Sequence, residues 1–417
     1  MKRKEALQVS TSKSTAGRTS MPQEIHGHCD PQFKHLYGLF QQFLDNGGEL
    51  GASLCVDVDG KPVVDIWGGY ADIARTRPWT SDTLTAVWSS SKAVTNLAGM
   101  ILVDRGLLDL DERVATYWPE FAANGKENIL VRQIFSHTSG VSGFDAGFTL
   151  EELYNTPFAT AKLASQAPWF TPGTVSSYHS VTQGFLVGEL IRRITGKSLK
   201  QFINDELAVP LHADFRLGLP NNEHDTARTA QIVPPPLPDL SALDLSKMPL
   251  AVPTFTQPLL QAEESETRAF RDAEIGASNG FTNARALAKI CSVITLGGTV
   301  PVDGKPVKII SEKTIDLIAE EQIHGVDLAM GMEARFGLGY GLPTPSSMPW
   351  IPANVKPTLF WGGWGGSTML MDQNNRATLT YTPNKMGDGL VGSDRSIQYA
   401  YSFFGAFGHK FEAKEKN

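Results

Sequence analysis

A serine and a lysine stand three residues apart, at Ser89 and Lys92, where a long apolar stretch begins. Residues three apart lie on the same face of a helix, so the lysine amine can reach the serine hydroxyl. Because burial disfavours the charged form of a lysine, a buried amine at this place is expected to be neutral and able to accept the serine proton. The first turn of a helix also offers free backbone N–H groups to a developing oxyanion. The spacing therefore predicts a nucleophilic serine activated by a lysine.

Ser-x-x-Lys is a weak signal by itself, because a chain of this length should contain about one or two matches by chance. A second match, Ser10–Lys13, lies in a polar N-terminal tail, where no rigid site can form. Taken alone, Ser89 and Lys92 are equally consistent with a capping serine followed by an unrelated lysine.

Two further motifs lie downstream and could complete such a site. Tyr178 and Ser180 follow a Pro-Gly pair, in a loop just before a predicted helix, and residues 361–367 read WGGWGGS between two strand-like runs. Glycines on a strand let another backbone or a ligand approach closely, so this segment could supply a second oxyanion N–H group. Taken singly, such a tyrosine is more often a structural side chain, and such glycines more often form a tight turn.

Hydrophobic periodicity predicts the elements that must position these motifs. The predicted helices cover residues 31–46, 87–105, 181–195, 199–207, 284–296 and 396–407, and the predicted strands cover 52–58, 62–67, 358–361, 368–372 and 377–381. Ser89, Ser90 and Ser91 are expected to supply capping hydroxyls. Residues 30–110 and 276–410 are predicted to form one discontinuous α/β domain, residues 111–275 an inserted helical subdomain, and residues 1–29 a disordered leader.

Composition narrows the classes of function. The 417 residues are 41% hydrophobic and 19% charged, which allows a large core. The net charge of −7 and the absence of a basic block beyond the first four residues argue against nucleic-acid binding. No apolar stretch approaches the roughly 20 residues that span a bilayer, and the N-terminus lacks an apolar signal segment, so a cytoplasmic location is expected. Three widely spaced cysteines do not describe a disulfide framework.

The order of the motifs (Ser-x-x-Lys, then Tyr-x-Ser, then a Gly-Gly strand) resembles that of the penicillin-recognising serine hydrolases. This family includes class C β-lactamases, DD-peptidases and family VIII carboxylesterases. The segments that resemble the esterase branch are WGGYAD (67–72), DTLTAVWSSSKAV (82–94), GLLDLDERVATYWPEF (106–121), QIFSHTSG (133–140), PGTVSSYHS (172–180) and GASNGFTNARALAKI (276–290). The resemblance implies a β-lactamase/transpeptidase-like α/β fold, in which a three-layer α-β-α domain with a central antiparallel sheet carries an inserted, mainly helical subdomain.

The resemblance also implies roles for individual residues. Ser89 matches the acylated serine, Lys92 the lysine that lowers its proton affinity, and Tyr178 the tyrosine that carries a proton to the leaving group and from water. The backbone N–H groups of Ser89 and Trp364, which follows Gly363, match the two oxyanion donors. These roles predict a serine carboxylesterase that hydrolyses small to medium esters through an acyl-enzyme, with no cofactor and no metal; the oligomeric state is left open.

Two residues of the expected substrate-binding set depart from the lactamase and peptidase pattern. Trp361 stands where those enzymes keep a lysine, and Ser180 where lactamases keep an asparagine. A tryptophan offers an apolar face and one N–H donor but no charge, so it cannot pair with the carboxylate of a β-lactam or a peptide. Both departures favour a neutral or apolar ester.

Two alternatives to the esterase stay open. An acyltransferase would use the same acyl-enzyme but pass the acyl group to an alcohol or amine, with weak or no β-lactamase activity. A catalytically inactive member would serve as a binding or scaffold protein, although the intact Ser89, Lys92 and Tyr178 argue against it.

Two other motifs invite different interpretations. Residues 276–280 match the G-x-S-x-G elbow of α/β-hydrolases, with Ser278, Asp388 and His409 in the required order, but the charged residues 263–274 do not form the buried strand that an elbow needs. Residues 26–30, HGHCD, contain possible metal ligands, although ligands so close together rarely make a closed site without distant partners.

Overall fold

The computed structural model describes residues 23–236, 244–352, 356–389 and 392–411. Its strands are β1 (Ile25–Cys29), β2 (Gly51–Val58), β3 (Lys61–Gly69), β4 (Thr85–Ala86), β5 (Arg216–Leu217), β6 (Gly280–Thr282), β7 (Thr299–Val302), β8 (Lys305–Lys308), β9 (Ile323–Val326), β10 (Glu333–Phe336), β11 (Leu359–Gly362), β12 (Thr368–Asp372) and β13 (Ala377–Pro383). Its helices are α1 (Lys34–Asp45), α2 (Ser91–Asp104), α3 (Val114–Tyr117), α4 (Val131–Phe135), α5 (Leu150–Tyr154), α6 (Thr156–Ser165), α7 (Thr182–Thr195), α8 (Leu199–Ile203), α9 (Glu223–Ala227), α10 (Ala251–Thr256), α11 (Arg268–Asp272), α12 (Ala284–Thr295), α13 (Glu312–Ala319) and α14 (Asp394–Ala406).

A six-stranded sheet with the order β1-β3-β2-β13-β12-β11 forms the centre of the molecule, and all of its neighbouring strands are antiparallel. Strands β2 and β13 lie in its middle, and nearly all of their side chains are buried on both faces. The turn between β2 and β3 is the Asp59-Gly60 pair, and both residues have positive φ, as a tight hairpin turn requires.

Helices cover both faces of this sheet. On one face α1 and α14 pack against each other and against the sheet, and their apolar stripes merge with it into one core cluster that includes Leu36, Phe40, Leu54 and Tyr399. On the other face α12 packs against β2, β12 and β13 and also contacts α2. The predicted three-layer α-β-α arrangement around an antiparallel sheet is confirmed.

The region predicted as an inserted subdomain, residues 111–275, holds helices α3 to α11 and the short strand β5. Strand β5 connects this region to the rest of the molecule by pairing with β6. Strand β6 in turn pairs with β4, which lies just before α2. Helix α7 packs along α2, so the predominantly apolar α2 is buried between the two parts of the molecule, as its composition predicts.

Two sequence-based boundaries differ from the structure. Residues 25–29, predicted to belong to a disordered leader, form strand β1, which pairs with β3 at the edge of the central sheet; residues 1–22 lie outside the described residues. The polar segment HGHC carries no alternating apolar pattern, because an edge strand with exposed side chains needs none. Helix α2 begins at Ser91 and not at Val87, because Trp88 forms an isolated bridge with Asn279 and residues 89–90 form a turn.

Candidate active site

Ser89 lies in the turn between β4 and α2, and the preceding Trp88 has φ of +49°. A positive φ is unusual for a bulky side chain and must be held by its surroundings. Ser91 holds this turn, because its Oγ donates to the Trp88 carbonyl oxygen (2.5 Å) and accepts from the Gly280 N–H (2.8 Å). The expected capping role of these serines is wrong, since no side chain caps the start of α2; the hydroxyls hold the nucleophile turn instead.

The Lys92 side chain is completely buried beneath Ser89. Its Nζ lies 3.1 Å from Ser89 Oγ, 2.6 Å from the Ser180 carbonyl oxygen and 3.1 Å from the Ala277 carbonyl oxygen. Burial lowers the pKa of Lys92 well below its ordinary value, and no carboxylate among the described residues opposes this effect. This direction favours the neutral amine, and two carbonyl groups position it beside the serine.

Tyr178 packs beside both residues, with Lys92 Nζ 4.7 Å from the centre of its ring. Its hydroxyl is buried and has no hydrogen-bond partner among the described residues. Burial raises the pKa of Tyr178, and the nearby Ser89 hydroxyl only partly opposes the rise, although the two groups are not in hydrogen-bonding geometry. The raised pKa keeps Tyr178 protonated, and no described residue engages its hydroxyl group.

A buried carboxylate fixes the backbone of Tyr178. Asp327 Oδ1 accepts hydrogen bonds from the N–H groups of Tyr178 (3.1 Å), Ala329 (2.9 Å) and Met330 (2.9 Å). The Leu328 N–H donates to the Ser176 carbonyl oxygen, so the turn after β9 is tied to the tyrosine loop. The sequence analysis missed Asp327, because no local pattern marks a carboxylate whose partner lies 149 residues away.

The glycine-rich segment after β11 lies directly against the nucleophile turn. A Cβ added to Gly363 would overlap the Val87 carbonyl oxygen and would lie 3.2 Å from the Ser90 nitrogen. Ser367 Oγ bonds both to Ser90 Oγ and to the Val87 carbonyl oxygen, each at 2.9 Å. Only a residue without a side chain can stand between these groups, which accounts for the glycine.

The backbone N–H groups of Ser89 and Trp364 donate no hydrogen bond to any described residue. The indole ring of Trp88, the residue before Ser89, meets the indole ring of Trp364 edge to face, with 5.2 Å between the ring centres. Two free N–H groups on closely packed segments can bind one developing negative charge, as an oxyanion hole requires.

The sequence analysis did not single out Ser367. Its position just after the Gly-Gly pairs could have indicated that it contacts the nucleophile turn.

Trp361 does not offer its N–H donor to a substrate. Its Nε1 donates to the carbonyl oxygen of Ser89 at 2.8 Å, and its ring stacks on His137 at 5.6 Å with an interplanar angle of 12°. Burial lowers the pKa of His137 well below its ordinary value, so this stack carries no charge. Ser180 contributes its carbonyl oxygen to Lys92, and its side chain is half-buried.

The residues of the rival motifs are arranged differently. Ser278 is buried in the loop that supplies the Ala277 carbonyl oxygen to Lys92, whereas His409 lies beyond α14 and packs edge-on against Phe404. His28 pairs with Asp30 at 2.6 Å at the edge of the sheet. Within the described ranges no group of three or more His, Cys, Asp or Glu side chains is placed to hold a metal ion. Among the same residues, no helix is both long and apolar enough to cross a bilayer.

This fold and this arrangement agree with the comparisons to known proteins. The family model described as Beta-lactamase matches residues 36–400. The chain belongs to this family and is a serine hydrolase. The predicted resemblance to the penicillin-recognising serine hydrolases is confirmed.

Among individual relatives, the esterase/beta-lactamase LipL of Mycobacterium tuberculosis is 32% identical over 382 residues, which cover 89% of this chain and 86% of the relative. The crystal structure of a family VIII carboxylesterase is 34% identical with a TM-score of 0.83 and covers 92% of this chain and 100% of its own. A penicillin-binding protein homologue from Caulobacter crescentus is 32% identical with a TM-score of 0.84 over the same shares. These relatives support a serine ester hydrolase.

Proposed function

We propose that the protein is a carboxylesterase that hydrolyses small to medium esters through an acyl-enzyme on Ser89. The observation that carries the proposal is the contact of Lys92 Nζ with Ser89 Oγ at 3.1 Å, made by a lysine that is fully buried and has no carboxylate partner in the described part of the chain. A neutral amine in this position is a general base for the serine. The esterase relatives described above support the choice of an ester as substrate.

In the acylation step, Ser89 Oγ attacks the ester carbonyl carbon and its proton passes to Lys92 Nζ. The oxyanion of the tetrahedral intermediate accepts hydrogen bonds from the N–H groups of Ser89 and Trp364. The bond from the carbonyl carbon to the alcohol oxygen then breaks, and the leaving oxygen takes the hydroxyl proton of Tyr178. Lys92 returns a proton to Tyr178, so that both residues regain their starting forms.

Deacylation follows the same proton path in reverse. Water attacks the acyl carbon while its proton passes through Tyr178 to Lys92, and the oxyanion again rests on the two N–H groups. The bond to Ser89 Oγ breaks, the serine regains its proton from Lys92, and the carboxylic acid leaves. An alcohol that enters in place of water would give an ester product, which is the acyl-transfer alternative.

Trp361 supports an ester over a β-lactam or peptide. Its N–H is engaged by the Ser89 carbonyl oxygen and its ring is stacked on the neutral His137, so neither side chain supplies a cation for a substrate carboxylate. A substrate carboxylate placed against Trp361 and His137 would lose its hydration without gaining an ion pair. β-Lactamase activity is therefore expected to be weak or absent.

The test is intact-protein mass spectrometry during turnover of p-nitrophenyl esters, comparing the wild type with Ser89→Ala. A matched control is Ser278→Ala, because Ser278 is a nearby buried serine and the nucleophile of the rival motif. We expect an acyl adduct in the wild type and in Ser278→Ala but not in Ser89→Ala. An adduct that persists in Ser89→Ala, or no adduct and no p-nitrophenol release in any protein, would contradict the proposal.

The acyl-transfer alternative is tested in the same assay by adding a small alcohol at increasing concentration. For a hydrolase, the carboxylic acid remains the main product. If the ester of the added alcohol replaces the acid at low millimolar alcohol, the protein is an acyltransferase.

A further inference from the structure

A cavity of about 240 Å³ opens beside the proposed proton donor, with Tyr178 and Trp361 in its wall. The wall is otherwise mainly apolar, and the side chains that the argument uses are Met330, Met332, Ala334, Met348, Trp350 and Phe360. Met332 is 39% exposed, which places it at the mouth of the cavity. Concave apolar surfaces next to reacting groups are the usual binding sites for small molecules.

The charged side chains in this wall already have partners. Glu333 is hydrogen-bonded to His324 Nε2 at 2.7 Å, and Arg335 is paired with Glu321. His324 and Glu321 do not line the cavity, so the partners of both side chains lie outside its wall. A group that enters the cavity is recognised by its apolar surface and shape, and a carboxylate or an ammonium group is disfavoured there.

The size of the cavity limits what it can hold. An apolar cavity of roughly 150 Å³ accommodates benzene. The present volume of about 240 Å³ accommodates an aromatic ring with a short chain, or a linear chain of similar bulk. Methionine side chains such as Met330, Met332 and Met348 are flexible and can adapt to either shape.

The position of Tyr178 decides which half of an ester lies here. Its unpartnered hydroxyl is the proposed donor to the leaving alcohol, and its side chain is part of the cavity wall. The carbonyl oxygen must lie at the N–H groups of Ser89 and Trp364, and Trp364 does not line the cavity. The group that faces the cavity is therefore the one whose oxygen is next to Tyr178.

We propose that this cavity binds the alcohol portion of the substrate and selects esters of bulky, uncharged, apolar alcohols. This inference rests on the proposed esterase function. It assigns specificity to strand β10 and to residues 342–350, and it names Ala334, a small buried residue of β10 in the cavity wall, as the residue that leaves space for the alcohol.

The experiment uses a series of acetate esters with methyl, butyl, hexyl and benzyl alcohols. All of them form the same acetyl-enzyme, so differences between alcohols must arise before or during acylation and appear in kcat/KM. We expect kcat/KM to rise by roughly fourfold for each methylene that the cavity buries, giving at least about a tenfold preference for hexyl or benzyl acetate over methyl acetate. If deacylation limits turnover, kcat is equal across the series.

Two variants test the cavity itself. Ala334→Leu fills part of it and should remove most of the preference for hexyl or benzyl acetate over methyl acetate. Met332→Ser removes apolar surface at the mouth and should weaken the preference without affecting the buried core. Its matched control is Val326→Ser on the paired strand, which is 55% exposed and does not line the cavity; this control should keep the wild-type preference.

A flat alcohol series, in an enzyme that forms the acetyl adduct on Ser89, would overturn the cavity assignment and leave the esterase proposal intact. A preference that follows the acyl chain instead of the alcohol, and that Ala334→Leu abolishes, would place the other half of the ester in the cavity and also overturn it. If no ester acylates Ser89, the proposed function itself fails.

Discussion

The Trp361 indole donates its hydrogen bond to the carbonyl oxygen of the nucleophile residue, Ser89, at 2.8 Å. A side chain on β11 thereby fixes the peptide that follows the nucleophile and precedes α2. The sequence analysis expected this tryptophan to face the substrate with its one donor. The structure gives it a different task, which is to hold the nucleophile turn while its ring separates His137 from the cavity beside Tyr178.

Trp361→Phe tests this role, because phenylalanine keeps an aromatic face but lacks the donor. The buried Ser89 carbonyl oxygen would lose its partner, at a cost of about 1–3 kcal/mol, and the turn could relax. We expect kcat/KM for p-nitrophenyl acetate to fall by roughly tenfold to hundredfold, with a smaller change in KM. The control is Trp79→Phe, since the buried Nε1 of Trp79 has no partner among the described residues; equal losses in both variants would refute the role.

The neutral form of Lys92 predicts a defined pH dependence. The base works only when unprotonated, so kcat/KM should rise with pH through the pKa of Lys92 and level off well below 10.5, the usual pKa of a lysine, because burial lowers that pKa. Lys92→Arg cannot lose its proton at these pH values and should be inactive. A rate that keeps rising up to pH 10.5 would show that the lysine is not held neutral.

The same lysine makes stability depend on pH. The pKa of Lys92 is about 10.5 in the unfolded chain and well below that in the folded protein, so between the two values the unfolded state binds more protons. The free energy of unfolding should therefore increase with pH between the lowered pKa and about 10.5. Urea unfolding of Lys92→Met against pH should show a shallower slope than the wild type in this window; an unchanged slope would mean that another group is responsible.

The order of the motifs, through the family resemblance that it carries, predicted the three-layer fold. It also predicted one site that contains Ser89, Lys92 and Tyr178. Local patterns could predict β2, β3, β12 and α12 to within two residues, because their apolar runs follow strand or helix periods. Strand β1 was not predicted, because a polar edge strand has no alternating apolar pattern.

The long-range polar contacts of the site could not be predicted from the sequence. Asp327 accepts the Tyr178 N–H across 149 residues, and the Ala277 carbonyl oxygen accepts from Lys92 across 185. A backbone carbonyl has no residue type that could reveal it. The spacing of Ser89 and Lys92 could be interpreted because a helix turn converts three positions into one contact; no comparable rule connects distant loops.

A second buried cluster, away from the site, predicts a stability effect. Glu49 is fully buried and pairs with Arg395 at 2.6 Å and with the Tyr381 hydroxyl. Burial raises the pKa of Glu49 to about 7, and Arg395 opposes this rise. Arg395→Met leaves the carboxyl group without its cation and should lower the free energy of unfolding by about 3–5 kcal/mol.

The decrease in the free energy of unfolding caused by Arg395→Met should become larger as pH rises. A carboxyl group with a raised pKa favours the folded state while it is protonated, and this contribution disappears as pH rises through the folded-state pKa. Without Arg395 that pKa lies higher still, so the variant should be more stable at pH 5 than at pH 8. The double variant with Glu49→Gln should recover most of the loss at pH 8; no recovery would show that the ion pair does not cause the effect.

The contact of Gly363 with the nucleophile turn leads to a prediction about the oxyanion hole. In Gly363→Ala the new Cβ would overlap the Val87 carbonyl oxygen, so β11 and the nucleophile turn must move apart. The Trp364 N–H moves with the segment, whereas Lys92 is held by separate carbonyl groups. Loss of one oxyanion donor costs about a hundredfold to a thousandfold in kcat, and we expect a loss of this size.

The matched control for Gly363→Ala is Gly38→Ala in α1, where an added Cβ meets no atom within 4 Å. That substitution should leave kcat unchanged and raise the free energy of unfolding by about 0.5–1 kcal/mol, because it adds a good helix former. Stopped-flow release of p-nitrophenol gives the acylation rate for each variant. If Gly363→Ala acylates within about fivefold of the wild type while remaining folded, the Trp364 N–H does not bind the oxyanion.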